Sequence, residues 1–283
     1  MLLSVIIVNY NSKTLLENCL FSVQNAMKEL DGEIIVVDNN SSDRSQEYLP
    51  QKFTEVKFIF NDANFGFAKA CNQGFKISSG DYALFLNPDT ILSETCLKDC
   101  ISFFEARTDA GAIGVKMLDE KGNFLKESKR GLPSPSASFY KLFGLTSMFP
   151  GSKIIGKYYE GHLPESENNP VDVLSGAFIM IKREVFEKAN GFDESFFMYG
   201  EDIDLSLRIT QLGFKNYYLG KIGVTHLKGG STTYNYKYVS DFYGAMDLFI
   251  KKHYRNKPTL YRAFLHTGIG LRKMLAIIAL PFR

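Results

Sequence analysis

The chain has 283 residues, of which 45% are hydrophobic and 23% are charged. These proportions are typical of a folded globular protein, and they exclude a disordered, collagen-like or multi-span membrane chain. The net charge is only +2, but the part from Lys228 onward contains ten Lys and Arg against two Asp and carries +8. This asymmetry predicts an anionic partner for the carboxyl-terminal part.

The sequence lacks signals for membrane insertion or export. No stretch reaches the roughly 18 apolar residues that a membrane-spanning helix requires. The first apolar run has no basic residues before it and meets Asn9-Tyr10-Asn11, so no signal peptide is expected. The cysteines lack Cys-x-x-Cys spacing, as is typical of reduced thiols. We therefore expect a cytoplasmic protein.

The first 120 residues alternate between predicted strands and helices. Apolar runs predict strands at 3–8, 33–37, 56–60, 82–86 and 112–118, and helical periodicity lies between them, as at 67–77 and 94–107. Continuous apolar strands separated by helices indicate an α/β fold whose mainly parallel sheet is buried on both faces. Ligands of such sheets bind at the carboxyl ends of the strands.

The second half is less regular. Residues 121–170 are rich in Gly, Pro, Ser and aromatics, which predicts a long functional loop. An apolar run follows at 171–181, then an acidic helix at 201–212 and short strands within 214–225. Two further helices are predicted at 236–253 and 258–280, so we expect a helical, basic and aromatic extension over 231–283.

Polar side chains follow two of the predicted strands. Asp38 directly follows the second strand, where a carboxylate can accept hydrogen bonds from a nucleobase N–H or a ribose hydroxyl. A turn-forming or helix-capping role explains Asp38 equally well, and Asn40 has the same ambiguity. In Asn87-Pro88-Asp89, the proline stiffens a turn and directs Asp89 outward, as a ligand of a hard cation facing a diphosphate requires; an ordinary turn is the alternative.

Two further features carry candidate chemistry. His226 also ends a predicted strand, and an imidazole, a carboxylate and phosphate oxygens together would suit Mn²⁺ or Mg²⁺, although a lone histidine is commonly structural. Three carboxylates, Glu201, Asp202 and Asp204, open the acidic helix. The helix dipole favours each by about 0.3–1 kcal/mol, which accounts for one or two of them. Three are more than capping requires, so one of them is a candidate general base whose pKa its acidic neighbours would raise.

Six motifs occur in a fixed order along the chain. They are Asn9-Tyr10-Asn11, Asp38-Asn39-Asn40, Asn64-Phe65-Gly66 with Asn72, Asn87-Pro88-Asp89, Gly191-Phe192-Asp193 and Gly200-Glu201-Asp202. In this order they resemble glycosyltransferase family 2, which has the nucleotide-diphospho-sugar transferase (GT-A) fold, and in particular its rhamnosyltransferase-like branch. The resemblance covers about residues 2–230. It implies a GT-A catalytic domain over 1–230, with a nucleotide-binding half to about residue 120 and an acceptor-side half after it.

The resemblance implies an inverting, metal-dependent transfer of a sugar from dTDP-rhamnose or a UDP-hexose to a glycan or lipid-linked saccharide. Asp202 matches the general base, with Glu201 and Asp204 in reserve, and Asp89 and His226 match the ligands of Mn²⁺ or Mg²⁺. The residues implied to contact the donor are Asn9, Tyr10, Asn11, Asp38, Asn40, Gly66, Lys69, Asn72, Asn87 and Asp89. Two positions depart from the pattern. Asn87 replaces an aspartate, and Cys71 replaces a common arginine, so Lys69 is expected to supply that charge.

Other classes fit less well. A nicotinamide enzyme would carry Gly-x-Gly-x-x-Gly after the first strand, and a sugar-nucleotide pyrophosphorylase would carry a Gly-rich basic loop there; Asn9-Tyr10-Asn11-Ser12 stands there instead. The remaining alternative is a non-catalytic partner subunit of the same fold that binds a nucleotide-sugar or glycan.

The family resemblance does not cover the extension at 231–283. In the helix from Pro258, Arg262, His266 and Lys273 fall within about 40° of one another and predict a basic face against an anionic membrane. Packing on the main domain, or on a second copy in a homodimer, is the alternative. Nucleic-acid binding is not expected, since no such motif accompanies the basic residues.

Overall fold

The fold comes from a computed structural model that describes residues 2–134, 136, 140, 144–227 and 235–280. The strands are β1 (Leu3–Asn9), β2 (Gly32–Asp38), β3 (Lys57–Phe60), β4 (Tyr82–Leu86), β5 (Thr90–Leu92), β6 (Ala110–Leu118), β7 (Lys129–Arg130), β8 (Asn168–Val171), β9 (Val173–Leu174), β10 (Phe178–Lys182) and β11 (Lys215–His226). The helices are α1 (Lys13–Ala26), α2 (Ser45–Lys52), α3 (Phe67–Ile77), α4 (Cys96–Ala106), α5 (Leu145–Met148), α6 (Arg183–Lys188), α7 (Glu201–Gln211), α8 (Tyr236–His253) and α9 (Thr259–Ile278).

The large sheet has the strand order β3-β2-β1-β4-β10-β6-β11-β5, with β8 also paired to β11. The pairs β2–β3, β1–β2, β1–β4 and β6–β11 are parallel, and β10 runs antiparallel between β4 and β6. This confirms the predicted α/β class with a mainly parallel central sheet. The register pairs Asn9 with Asp38 and Ile7 with Leu86, so the carboxyl ends of β2, β1 and β4 lie side by side.

Apolar side chains fill both faces of the sheet. On one face, α1 and α4 contribute residues at helical spacing, such as Leu16, Leu20 and Val23. On the other, α3, α6 and α7 contribute residues such as Phe186 and Leu205. Because both faces are covered, every residue of β1 is buried, which explains the apolar run at 5–8 within it.

The predicted long loop of residues 121–170 contains short elements in its described part, among them β7, α5 and β8. The apolar run at 171–181 is divided among the end of β8, β9 and β10. The strands expected at 214–225 form the single strand β11, which contains a register shift between Leu219 and Gly223.

The two carboxyl-terminal helices form a hairpin, which we call the C-terminal hairpin (α8 and α9). Its helices lie within two residues of the predicted ranges. In α8, Ala245 and Phe249 pack against Phe196 of the main domain, whereas α9 has no buried residue. Across the described residues, no helix is both long and apolar enough to cross a membrane. The predicted boundary at residue 230 lies outside the described residues.

The predicted orientation of α9 is wrong. His266 and Lys273 face α8, because that helix offers polar partners: His266 contacts Asp247, and the Lys273 Nζ donates a hydrogen bond to the Ser240 Oγ at 3.2 Å. The opposite face is apolar and exposed. Its large members, which we call the apolar stripe, lie within a wedge of about 100°, and they are Leu260, Phe264, Leu271, Met274, Leu275 and Ile278.

Candidate active site

The loops after β1 and β2 are joined through Asp38. Its Oδ2 accepts a hydrogen bond from the Asn9 Nδ2 at 2.6 Å, and its Oδ1 accepts from the Gln46 Nε2 at 2.7 Å and the Ser41 backbone N–H at 2.8 Å. Asp38 is 1% exposed. A carboxylate has about four acceptor positions, so one remains for a ligand after these three bonds. Asp38 therefore organises the loop, and its contact with a nucleotide stays a prediction.

Neighbouring residues shape the same edge of the sheet. Asn11 and Asn40 both have positive φ angles, which Asn tolerates better than most residues, and the Asn11 Oδ1 accepts from the Ser42 N–H at 2.7 Å. Tyr10 is 48% exposed beside this loop. Its ring is free of the core, so it is available to stack on a flat ligand.

Gly66 connects this edge to the segment before α7. It has φ +85°, and a Cβ atom there would lie 2.3 Å from the Phe197 carbonyl oxygen, so glycine is required. The next residue, Phe67, donates its N–H to that same oxygen at 2.8 Å. The Lys69 Nζ lies 4.2 Å from the centre of the Phe65 ring, and its predicted contact with a diphosphate stays untested.

Asn72 holds the turn that follows Gly191. Its Nδ2 donates to the Phe192 carbonyl at 2.9 Å and to the Glu194 Oε1 at 3.0 Å, and its Oδ1 accepts from the Phe192 N–H at 3.0 Å. Both ends of the amide are therefore used to hold the turn that follows Gly191. This geometry gives Asn72 a structural role, and its predicted contact with the donor stays a prediction.

Asp89 and His226 meet although they are far apart in the sequence. β5 pairs with β11, which sets His226 opposite Thr90, and the His226 Nε2 lies 3.1 Å from the Asp89 Oδ1. The Leu227 N–H also donates to the Asp89 carbonyl at 2.8 Å. The side chains are 5% and 12% exposed for Asp89 and His226, respectively. Strand pairing thus brings together the two predicted metal ligands, and their role as ligands stays a prediction.

Buried polar atoms of this pair lack hydrogen bonds. The Nδ1 of His226 has no partner, and the contact between its Nε2 and the Asp89 Oδ1 at 3.1 Å lacks hydrogen-bond geometry. An unpaired buried polar atom costs about 1–3 kcal/mol, which a bound ligand would offset. A carboxylate and an imidazole fit Mn²⁺ or Mg²⁺ when phosphate and water complete the coordination. The described part of the chain contains no group of three or more protein side chains suited to hold a metal, so the ligand phosphates would have to contribute.

Asp202 is held by three donors at the start of α7. Its Oδ2 accepts from Arg130 and from the Gly176 N–H at 3.1 Å, and its Oδ1 accepts from the Ile203 N–H at 2.8 Å. Arg130 also donates to the Leu174 carbonyl at 2.9 Å. Sequence reasoning missed Arg130, because it lies in the irregular segment, where no periodicity or motif singles it out.

Glu201 is the acid of this cluster with a raised pKa. Burial and, secondarily, the charge of Asp202 raise its pKa to about 8. Its side chain is buried and its Oε2 has no hydrogen-bond partner. The carboxyl group is therefore mostly protonated at neutral pH, which makes it a hydrogen-bond donor beside Asp202.

Asp204 joins α7 to the C-terminal hairpin. It is 0% exposed, and its carboxylate contacts Arg208 at 2.6 Å, Lys252 at 2.6 Å and His253 at 2.6 Å. A general base must reach the hydroxyl that it deprotonates. Asp204 has no solvent access and lies among three basic side chains. The prediction that it is a reserve base is therefore corrected, because an acceptor hydroxyl could not reach it.

Known protein families match this chain over most of its length. A profile of Glycosyl transferase family 2 matches residues 4–189, and one described as the N-terminal domain of galactosyltransferase matches residues 166–229. Both matches include parts of the site described above: the first contains Asp38 and Asp89, and the second contains Asp202 and His226.

Proteins with sequence identities of 26–28% to this chain include several glycosyltransferases. An N-acetylglucosaminyl-diphospho-decaprenol L-rhamnosyltransferase of Mycobacterium tuberculosis is 28% identical over 81% of this chain and 77% of its own length. Rhamnosyltransferase WbbL of Escherichia coli is 26% identical over 68% of this chain and 72% of its own. The low-salt glycan biosynthesis hexosyltransferase Agl10 of Haloferax volcanii is 28% identical over 73% of this chain, which spans 61% of that relative.

Solved structures confirm the predicted fold. The mannosyltransferase PcManGT of Pyrobaculum calidifontis, in complex with GDP-Man and Mn²⁺, superposes with a TM-score of 0.60 at 16% identity, over 97% of this chain and 71% of its own. TarS 1–349 of S. aureus in complex with UDP gives 0.59 at 19% identity, over 94% of this chain and 68% of its own. At these identities the likeness establishes the GT-A fold.

Proposed function

The chain belongs to glycosyl transferase family 2, and from this premise we propose that it transfers a sugar, with inversion, from a nucleoside-diphosphate sugar to a hydroxyl of a lipid-linked saccharide. Membership makes it a glycosyltransferase, and its rhamnosyltransferase relatives support a part in polysaccharide synthesis. Those relatives also favour dTDP-rhamnose as the donor, with a UDP-hexose as the alternative.

One observation carries this proposal. Asp89 and His226 are buried together, with 3.1 Å between the His226 Nε2 and the Asp89 Oδ1, and the His226 Nδ1 has no hydrogen-bond partner. The pair lies close to the strand ends that hold Asn9 and Asp38. Nucleotide ligands of parallel sheets bind at such an edge. A cation held by Asp89 and His226 would stabilise the negative charge that develops on a departing diphosphate.

On the donor side, this chain's residues bind and orient the nucleotide. Asp38 and Asn40 lie in the loop expected to face the base and ribose, and Tyr10 offers an exposed ring next to them. Asn87 is half-buried beside Asp89, where its amide is suited to hydrogen-bond a ribose or phosphate oxygen. Because these groups lie on adjacent strand ends, the sheet holds them in one orientation.

On the acceptor side, Asp202 is our candidate base. Its carboxylate would accept the proton of the attacking hydroxyl as the bond to the sugar forms. Arg130 pairs with this carboxylate in the free protein, so we infer that the incoming hydroxyl competes with Arg130 for the Oδ2. Glu201, which is mostly protonated at neutral pH, is suited to donate a hydrogen bond to the acceptor and to orient it.

The C-terminal hairpin supports a membrane-bound acceptor. The apolar stripe of α9 is exposed, with Leu260 84% and Phe264 66% exposed, and the sequence from Lys228 onward carries +8. An amphipathic helix of this kind lies in the interface of an anionic bilayer with its apolar face in the lipid. We propose that the stripe makes this contact, in place of the basic face expected from the sequence.

A donor panel tests the proposed function. The purified protein is incubated with dTDP-rhamnose, UDP-glucose, UDP-N-acetylglucosamine or GDP-mannose, with Mn²⁺ or with excess chelator, and nucleotide release is measured. We expect release from one donor and its loss in chelator. Binding of a donor without any turnover, in the presence of lipid-linked acceptors, would instead support the non-catalytic partner subunit.

A further inference from the structure

A cavity of about 350 Å³ lies between the start of α7 and the C-terminal hairpin. Its walls are mostly apolar. The hairpin contributes Phe242, Met246, Phe249, Leu265 and Ile269 to them. This volume lies within the range of pockets that bind small organic ligands, which is about 300–1,000 Å³.

The cavity connects the acidic cluster with the apolar stripe. Glu201, Asp202 and Arg130 are part of its lining, and so is Phe264, which belongs to the stripe and is 66% exposed. An elongated molecule bound here would therefore have one end at the candidate base and the other at the face of α9 proposed to meet the bilayer.

Two polar groups in the lining call for a ligand with both polar and apolar parts. Glu201 is only 6% exposed, and its buried Oε2 has no hydrogen-bond partner. Arg272, on the cavity side of α9, is exposed and adds a guanidinium to the lining. A guanidinium pairs well with phosphate oxygens, and an apolar chain would fill the remaining walls.

We propose that this cavity binds the lipid part of the acceptor, with an isoprenoid chain against the aromatic walls and its diphosphate at Arg272. The proposal rests on the proposed function, because it places the acceptor's reacting hydroxyl at Asp202. It assigns the C-terminal hairpin a binding role: α8 and α9 supply the apolar walls of an acceptor site whose polar end belongs to the main domain.

Two glycines of α9 provide a matched pair of variants. Gly268 lines the cavity, whereas Gly270 does not. Side chains at these two positions would leave the helix in directions about 200° apart. A Cβ atom at either position meets no atom within 4 Å. Gly268→Leu would therefore place an apolar side chain in the cavity, and Gly270→Leu would add the same side chain elsewhere. Leucine favours the helix over glycine, so both variants should fold.

Calorimetric titration with farnesyl diphosphate tests the site directly. We expect the wild type and Gly270→Leu to bind it with similar affinity, and Gly268→Leu to bind at least about tenfold more weakly because the apolar contact area is lost. Inorganic diphosphate, which lacks the chain, should bind all three proteins equally and more weakly. Absence of binding to the wild type, or equal affinity of the two variants, would overturn the proposal.

Donor measurements separate this proposal from the proposed function. Nucleotide-sugar binding should be the same in the wild type and both variants, because the donor residues lie on other elements. If the wild type transfers sugar but Gly268→Leu retains full affinity for farnesyl diphosphate and an unchanged KM for a lipid-linked acceptor, the cavity assignment is wrong and the function stands. If no sugar transfer occurs while the affinities follow the expected pattern, the function is wrong and the cavity remains a lipid site.

Discussion

The Nε2 of His253 lies 2.6 Å from the Oδ1 of the buried Asp204. This contact joins the C-terminal hairpin directly to the helix that carries the candidate base, and Lys252 reinforces it from the preceding position. The hairpin is therefore packed against the acidic helix. A substitution in either element should change the stability of the other.

The first prediction concerns the contact of Asp204 with the C-terminal hairpin. Asp204→Asn should lower the free energy of unfolding by about 3–5 kcal/mol, because the mostly buried Arg208 then loses its carboxylate partner. Burial opposes the charged form of Asp204, but hydrogen bonds from His253 and Lys252 outweigh it and lower its pKa. Its stabilising contribution is thus present above the ordinary pKa of an aspartate and is lost as the pH falls toward the lowered one.

Chemical denaturation at several pH values measures this effect. The pair Lys237–Asp241 on α8 supplies the control, since Asp241→Asn removes a carboxylate that is 27% exposed. We expect the difference between Asp204→Asn and the wild type to shrink in acid. If Asp204→Asn and the wild type have the same free energy of unfolding near neutral pH, the contact of Asp204 with the hairpin does not stabilise the protein.

The second prediction concerns Asp202 as the general base. Asp202→Asn should lower kcat by about 10²–10⁴ while donor affinity changes little, because the amide cannot accept the proton. Steady-state kinetics of sugar transfer measure kcat, and titration of the nucleotide sugar measures affinity. Asp241→Asn again serves as the control. Turnover at the wild-type rate in Asp202→Asn would remove Asp202 from the mechanism.

The third prediction concerns the pair Asp89–His226. Asp89→Asn and His226→Gln should each weaken Mn²⁺ binding by at least about tenfold, since each removes one of two protein ligands. Electron paramagnetic resonance of Mn²⁺ in the presence of the donor's nucleoside diphosphate measures this without a turnover assay. His162→Gln, which alters a histidine beside Glu160, is the control. Unchanged Mn²⁺ affinity in both variants would place the metal elsewhere.

The fourth prediction concerns Glu201, whose pKa is raised to about 8 by burial and by Asp202. The folded protein retains a proton there that the unfolded chain has lost, so stability should fall as the pH rises from about 4 toward 8. Glu201→Gln should abolish this part of the pH dependence and be more stable than the wild type at about pH 9. Denaturation curves at about pH 6 and pH 9 provide the comparison, with Glu184→Gln as the exposed control. Parallel curves for Glu201→Gln and the wild type would show that Glu201 is not the group responsible.

The fifth prediction concerns the apolar stripe. Leu271→Glu combined with Leu275→Glu should reduce co-sedimentation with anionic vesicles severalfold, because both side chains are about half exposed on the face proposed to enter the lipid. Ile154→Glu, an exposed apolar residue outside the hairpin, is the control. Equal sedimentation of all three proteins would refute the membrane contact. A shift of the double variant from dimer to monomer in sedimentation velocity would identify a second copy as the occupant.

Local sequence pattern was sufficient for most of the longer elements of the fold, and it missed short ones such as β5 and β7. Apolar runs predicted the strands because a parallel sheet covered on both faces tolerates no polar alternation within its strands. Helical spacing likewise predicted the two helices of the C-terminal hairpin. Polar residues directly after strands marked the ligand edge, since strand direction alone places them there. Asp38 and Asp89 were therefore identifiable as site candidates before any tertiary contact was known.

Only the tertiary structure decided which partner each polar side chain meets. The pairing of β5 with β11 brings His226 to Asp89, and the irregular segment brings Arg130 to Asp202. Asn72 is engaged at the turn after Gly191, and α8 attracts the basic side chains of α9, leaving the apolar stripe outward. The physical reason is that hydrogen bonds and ion pairs depend on positions in space that periodicity does not encode. Amphipathicity specifies two faces of a helix, and the neighbour across the interface decides which one is covered.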